Sequence, residues 1–442
     1  MSNWKQTSVG EFIDFNPPET IAKGLMTRKI PMDKLGVFQR KISGSEYAEY
    51  SAGPKFRNGD TLFAKITPCL ENGKTAFVDI LDENEVAFGS SEFIVLRENA
   101  HSDKKFIYYL ARSPLFRERA ISCMEGTSGR KRVNEGALKR QEILVPEILS
   151  QQKIASVLSA LDDKIELNNK INAELEAMAK MLYDYWFVQF DFPNADGKPY
   201  KSSGGEMVYD EVLKREIPKG WKVKSFEGLV AFTRGISYTS STINDTSGVP
   251  MINLKSFNLN GTYRIDGIKY FTGKVNENKL ISKGDLLIAI TDVTREAEII
   301  GRAISLPEFN VDVVCSCDVA RVDILDNAFE KNYLRFLFNS KHYHNYIKHY
   351  ASGTLVLHLD LNGILWYKDI IPPMDLQEKF QSFSANIEDK IQANHKQNQE
   401  LASLRDWLLP MLMNGQVTVA DADERVEGEL GMVAEEQVKY GK

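Results

Sequence analysis

A block of some thirty residues occurs twice in this chain, about 226 positions apart, and no other feature restricts the possible fold as tightly. The first copy contains Leu161-Asp162-Asp163-Lys164-Ile165, followed by Asn168, Lys170, Asn172, Glu174 and Leu175. The second contains Ile387-Glu388-Asp389-Lys390-Ile391, followed by Asn394, Lys396, Asn398, Glu400 and Leu401. Each copy opens with a proline and a Gln-x-Lys triplet: Pro146 with Gln151 and Lys153, and Pro372 with Gln377 and Lys379. Upstream the repetition continues more faintly. Gly59-Asp60-Thr61-Leu62-Phe63-Ala64 returns as Gly284-Asp285-Leu286-Leu287-Ile288-Ala289, Tyr109-Leu110 with Ser113 as Phe336-Leu337 with Ser340, and Trp4-Lys5 as Trp221-Lys222. The chain is therefore two copies of one unit, nearly shared in its last third and divergent before it. Such a molecule performs one mechanical task twice and two related recognition tasks differently.

The shared segments are expected to be long helices. From Ser150 to Trp186 there is neither Gly nor Pro, and Ile154, Leu158, Leu161, Ile165, Leu175 and Leu182 recur at steps of three and four. The second copy offers Phe380, Ile387, Ile391, Leu401, Leu404 and Leu408 before Pro410. At ~1.5 Å per residue, each makes a rod of roughly 50 Å. Such a helix could lie on its own domain, but two at equivalent places in tandem units favour pairing with each other. Asn168 and Asn172, and again Asn394 and Asn398, interrupt the apolar seam. A buried Asn weakens a helix pair but fixes its register. In an antiparallel pair the facing residue numbers have a constant sum, and both Asn168 with Asn398 and Asn172 with Asn394 give 566. The expected fold class is α+β: two tandem α/β domains separated by two long helices forming an antiparallel coiled coil, with pseudo-two-fold symmetry. The expected division is a first variable domain (1–145), a helical spacer (146–190), a connector rich in Gly and Pro (191–220), a second variable domain (221–370), a second spacer (371–415) and an acidic mobile tail (416–442). The variable parts should carry strands at Thr61–Ile66, Ala76–Ile80, Phe93–Leu96, Leu286–Ile290 and Val319–Ile324, with helices over Lys104–Glu125 and Lys331–Tyr350.

The net charge of −6 is unfavourable for a nucleic-acid binder until its distribution is followed. The stretch from Asp421 to Lys442 holds seven acids and three bases, which accounts for −4. Residues 101–140 hold ten Lys or Arg against four acids, and they lie where recognition should sit. Two loop groups in each unit combine polar and basic residues at equivalent places. In the first unit they are Lys65, Thr67, Glu71, Asn72 and Lys74, and the flexible loop Ser128, Arg130, Lys131 and Arg132. In the second they are Thr291, Asp292, Thr294 and Arg295, and Ser352, Thr354 and His358. Arg and Lys suit guanine edges and phosphates, and Asn suits adenine.

Catalytic motifs are not convincing. Asn16-Pro17-Pro18-Glu19 is similar to the Asn-Pro-Pro-aromatic motif of DNA amino-methyltransferases, but its fourth residue is Glu and no Gly-rich cofactor loop follows a strand nearby. It reads as a proline-rich turn. There is no phosphate-binding Gly-x-x-x-x-Gly-Lys-Ser/Thr loop, and no convincing nuclease arrangement. His342, His344, His349 and His358 suit packing or phosphate contact better than a metal. Cys315-Ser316-Cys317, Cys69 and Cys123 read as reduced thiols of a cytoplasmic protein, and no run approaches a membrane span or signal peptide.

Taken together, the Gln151–Leu175 block, Tyr185-Trp186-Phe187-Val188, Phe190-Asp191-Phe192, Ile217-Pro218-Lys219-Gly220-Trp221 and the turn Ile66–Lys74 resemble the specificity subunit of type I restriction–modification systems. The resemblance covers nearly the whole chain. It implies a non-catalytic, cytoplasmic subunit of a phage-defence system that reads a split target in double-stranded DNA, one variable domain per half-site, with the helices as a ruler. It further implies two methyltransferase (modification) subunits that methylate adenine and two restriction (motor-nuclease) subunits. No cofactor is expected on this chain; S-adenosylmethionine, ATP and Mg are expected on those partners. Half-sites about one helical turn apart, roughly 34–36 Å, suit such a ruler. Two other readings compete: a self-contained DNA adenine methyltransferase, which the defective motif disfavours, and a coiled-coil assembly protein that does not read DNA.

Overall fold

The computed structural model describes residues 4–127, 129–264 and 267–428. The chain divides into two compact units. The first comprises residues up to 171 together with those from 394 onward, and the second is the continuous stretch 172–393. The boundary thus falls inside both long helices, Ile148–Tyr183 and Met374–Met413, rather than at their ends.

Each unit is framed in the same way. A strand at its start pairs antiparallel with the strand that leads into a long helix: Trp4–Ser8 with Glu142–Pro146, and Lys222–Ser225 with Lys368–Ile371. A four-stranded sheet follows in the same order in both units. In the first it runs Asp14–Phe15, Phe93–Arg97, Thr61–Ala64, Thr75–Phe77; in the second, Val230–Arg234, Val319–Ile324, Leu286–Ala289, Ala303–Ser305. Beside it lies another sheet, of four strands in the first unit and five in the second, each containing one parallel pair (Met26–Ile30 with Ala87–Gly89, Val249–Ile252 with Val313–Cys315). The strands at Thr61–Ala64 and Leu286–Ala289 are buried along their whole length, so they read as apolar runs rather than alternating ones.

The repeated residues now have reasons. Gly59 and Gly284 adopt positive φ (96° and 76°), which a side chain would disfavour. The following Asp closes the turn each time, Asp60 accepting from the Arg57 amide (2.8 Å) and Asp285 from the Ser282 amide (2.9 Å). Gln151 donates to the Pro146 carbonyl (2.9 Å) and accepts from the Asp103 amide (2.9 Å). Gln377 does the same with Pro372 (2.9 Å) and Glu330 (3.0 Å). Each glutamine thereby ties the start of a long helix to the N-cap of the short helix Lys104–Arg112 or Lys331–Phe338.

Within the first unit the two long helices run antiparallel. Asn168 Nδ2 donates to Asn398 Oδ1 (2.9 Å), the pairing with sum 566, and Asn398 Nδ2 reaches Asn169 Oδ1 (2.8 Å). One to two turns away Asp162 meets Arg405 at 2.6 Å, both buried. Asp162 also accepts from the Tyr109 hydroxyl (2.7 Å), and Arg405 and Arg112 share Asp406. Burial alone would lower the Arg405 pKa, but Asp162 and Asp406 hold it above its usual value. Ile154, Leu158, Leu161, Leu401, Leu408 and Leu412 complete this apolar core. In the second unit the helices pack through rings, with Phe380 at 5.9 Å from Tyr183 and 5.3 Å from Phe187.

Several expectations need correction. Lys104–Glu125 and Lys331–Tyr350 are each broken near their middle: helix Lys104–Arg112 gives way to Pro114–Ser122, and Lys331–Phe338 to Lys341–Ile347. Ser113 and Ser340 cap the second piece each time. The strand placed at Ala76–Ile80 runs instead over Thr75–Phe77. The second long helix, within its expected span of 371–415, passes Pro410 and ends at Met413, and the burial of Leu408, Leu409, Leu412 and Met413 outweighs the one lost backbone bond. The stretch 191–220 is folded: Phe192 stacks between Tyr200 (4.7 Å) and Trp221 (5.1 Å), and Met207–Asp210 pairs with Arg215–Pro218. The tail placed from 416 is docked at its start, where residues 419–428 are helical and bury Ala422 and Val426 in the first unit's core. Residues 429–442 of that tail lie outside the described residues.

Candidate nucleic-acid interface

In the first unit the two nominated loop groups meet. The turn Ile66–Lys74 packs Leu70 into the core and closes through the Asn72 amide to the Pro68 carbonyl (2.8 Å). Ile66 bridges to Arg132 across the hairpin Met124–Glu125 with Arg132–Val133. Thr67 completes the junction: its Oγ1 accepts from the Lys131 amide (2.9 Å), and its own amide donates to the Lys131 carbonyl (3.0 Å). Glu71, Asn72, Arg130 and Lys131 are left exposed on one turn-and-hairpin surface. Three nominated cations are partly spent. Lys74 Nζ donates to the Met32 carbonyl (2.9 Å), Lys65 lies 3.7 Å from Glu135, and Arg132 forms a two-pronged pair with Glu92 (2.6 and 2.9 Å). Ser128 lies outside the described residues.

The second unit repeats this junction with different side chains. The strand Thr291–Asp292 pairs with Leu357–Leu359, Thr291 facing His358, and Leu357–Leu359 pairs with Ala351–Ser352. The partners Ile66 and Arg132 correspond to Thr291 and His358 at offsets of 225 and 226. Glu92 corresponds to Asp318, which accepts from Thr291 Oγ1 (3.0 Å). Arg295, Ser352, Thr354 and His358 are exposed. Thr291 and Asp292 are not. Asp292 is fully buried, and its oxygens accept from the amides of Thr294 (2.7 Å), Ile299 (2.7 Å) and Ile300 (3.1 Å). Both are framework of the loop, and the expectation that they face outward does not hold. The exposed chemistry of the two junctions differs. The first hairpin tip carries Arg130 and Lys131, whereas the second carries Leu355 (89% exposed) with Val293 (67% exposed) nearby on the neighbouring strand's end.

The basic run over 101–140 is not one patch. Arg112 is buried against Asp406, Arg117 and Arg119 are half-buried, and only part of the run reaches the surface. Sequence reasoning also missed the acidic partners Glu92, Glu135 and Asp318, which carry no local motif. The Asn-Pro-Pro-Glu segment is structural. Asn16 accepts from the Val95 amide (3.0 Å) and donates to Glu135 (2.8 Å), and Glu19 pairs with Arg97 (2.7 Å). Among the described residues no group of three His, Cys, Asp or Glu side chains could hold a metal ion, and no helix is long and apolar enough to cross a membrane. His344 Nε2 lies 2.9 Å from the Ala297 carbonyl, a contact to protein main chain rather than to a metal.

The family described as the type I restriction modification DNA specificity domain matches residues 1–177 and 218–403. The chain is similar to the type I restriction enzyme MjaIX specificity subunit of Methanocaldococcus jannaschii, at 28% identity over 72% of this chain and 70% of the relative. It is also similar to the type I restriction enzyme HindI specificity subunit of Haemophilus influenzae, at 25% identity over 94% of this chain and all of the relative. Among solved structures, the type I restriction–modification S subunit of M. genitalium shares the fold with a TM-score of 0.55, at 18% identity over 93% of this chain and 96% of that one.

Proposed function

The chain belongs to the type I restriction modification DNA specificity family, and from that membership we propose that it reads a bipartite duplex target, one variable domain to each half-site. The observation that carries this reading is the repeated junction of turn and hairpin, Ile66 with Arg132 and Thr291 with His358. One backbone arrangement presents Glu71, Asn72, Arg130 and Lys131 in the first unit and Arg295, Ser352, Thr354 and His358 in the second. The same frame with different exposed groups suits two different base sequences read through the major groove. Lys65, Lys74 and Arg132, already held by protein partners, serve as supports or phosphate contacts at the rim.

The chain itself is a scaffold without catalysis. Two methyltransferase subunits dock near the long helices and two restriction subunits complete the assembly. S-adenosylmethionine, ATP and Mg belong to those partners, and the target base is adenine. Apolar side chains left exposed on the long helices, Leu167 in the first unit and, separately, Met178, Met181 and Phe383 in the second, supply contacts for docking on each unit. The alternative, a self-contained adenine methyltransferase, is disfavoured because both ends of the Asn16 amide are engaged by the Val95 amide and Glu135.

Mapping methylated adenines in cells that carry this chain with its partners tests the reading. The expected result is a two-part motif with an unread spacer. Asn72→Ala and Arg295→Ala should each alter one half of it, and not the same half. A single continuous motif, or a motif that neither substitution changes, would count against the proposal.

A further inference from the structure

Behind each exposed turn stands a side chain that grips the turn's main chain. We propose that Arg117 and His344 are equivalent positioning residues, which hold the two reading turns in their working conformation and so set the sequence preference of each half-site; the proposal rests on the DNA-reading assignment of those turns.

In the first unit Arg117 lies on the helix Pro114–Ser122. Its Nη2 donates to the carbonyls of Leu70 (3.2 Å) and Glu71 (2.7 Å). Its guanidinium carbon also stands 4.7 Å from the centre of the Phe38 ring, a stacked arrangement. Phe38 in turn covers Gly73: a Cβ there would come within 2.5 Å of the ring, and the Phe38 amide donates to the Gly73 carbonyl (3.2 Å). Glu71 and Asn72 are therefore presented by a main chain fixed on both sides. Fixing a carbonyl by a charged donor is stronger and more directional than a neutral bond.

In the second unit His344 lies on the helix Lys341–Ile347, and its Nε2 is 2.9 Å from the Ala297 carbonyl. A carbonyl only accepts, so Nε2 carries the proton in this contact. Ala297 has a φ of 53°, which a residue with a Cβ disfavours and which needs a hold from outside. Arg302 adds a second grip by donating to the Glu298 carbonyl (2.7 Å). The correspondence is positional as well as chemical. Ser113 and Ser340 cap the two helices, Arg117 and His344 follow four residues later, and the carbonyls gripped belong to Leu70 and Ala297. All three pairs are 227 positions apart. The two units have kept a nitrogen donor at this place while exchanging its chemical type.

The chain in complex with its methyltransferase partner provides the test. Methylation rates are measured on the cognate duplex and on duplexes carrying a single base change in one half-site or the other. Arg117→Ala should reduce discrimination on the order of tenfold in the half-site that Asn72→Ala also affects, with the other half unchanged. His344→Ala should do the same in the half-site that Arg295→Ala affects. His344→Gln, whose amide can still donate to the Ala297 carbonyl, should restore discrimination. If Arg117→Ala does not assemble, Arg117→Lys keeps a donor and loses the stacking, and intermediate discrimination is expected. Equal loss on all sequences that tracks the melting temperature would overturn the positioning role, as would unchanged discrimination. Should Asn72→Ala and Arg295→Ala themselves leave both half-sites intact, the DNA-reading assignment fails instead.

Discussion

Arg405 shows how much a single buried charge can decide. The Arg405–Asp162 pair joins the second long helix to the first, and the Tyr109 hydroxyl and Asp406 satisfy what remains of its hydrogen bonding. Removing one member leaves the other buried and unpaired. Arg405→Met should therefore destabilise the first unit by about 3–5 kcal/mol, and Asp162→Leu with Arg405→Met should recover most of the loss. Urea unfolding of the parent, the two single variants and the double variant checks this, and a double variant no better than Arg405→Met alone would refute the pairing. Nothing in the sequence marked Arg405, since its counterpart in the first helix by the same offset is Ala179. The asparagines were visible only because they repeat. Asp292 illustrates the opposite problem. An acidic residue in a polar loop is a natural surface candidate, yet three backbone amides needed an acceptor and took it inward.

At the level of elements, the repeat was legible wherever a helix or turn required one residue type. Gln151 and Gln377 are the clearest case. Replacing either by Ala leaves a helix-start amide and a proline carbonyl without their partner, at a cost of about 1–3 kcal/mol each. Hydrogen exchange at the Asp103 or Glu330 amide should accelerate in the matching variant and not in the other. Element ends were less legible. Buried side chains continue on both sides of the breaks at Ser113 and Ser340 (Leu110 and Phe116, Phe338 and Tyr343), so the apolar pattern alone ran through them. Pro410 is tolerated inside the second long helix because a proline one turn from a helix end costs less than the burial of the leucines around it gains. The equivalence of Arg117 and His344 was invisible because the two side chains share a donor and little else.

For the molecule as a whole, the duplication and its mixed α and β character could be read from the sequence, whereas the composition of the first unit could not. Its core contains Leu401, Leu408, Leu409 and Leu412 from the second long helix, and then Ala422 and Val426 from what reads as a charged tail. Arg425 lies over the Trp407 ring at 4.7 Å on the same segment, so the charges of that tail flank an apolar stripe. Truncation after Gly415 should lower the stability of the first unit by roughly 1–3 kcal/mol, the scale of removing a few partly redundant core contacts. Hydrogen exchange of its core amides would register the loss, and unchanged protection would contradict the docking.

Because residues 172–393 form a continuous unit while the other unit needs both 4–171 and the segment from 394 onward, the order of synthesis is not the order of completion. A ribosome making this chain delivers residues 4–171 before the second unit, yet the leucines that close their core emerge only after it. The second unit has all of its own residues in hand sooner. The growing chain must therefore carry a half-built first unit while the second is synthesised, and the stretch from 394 onward is the one that seals it.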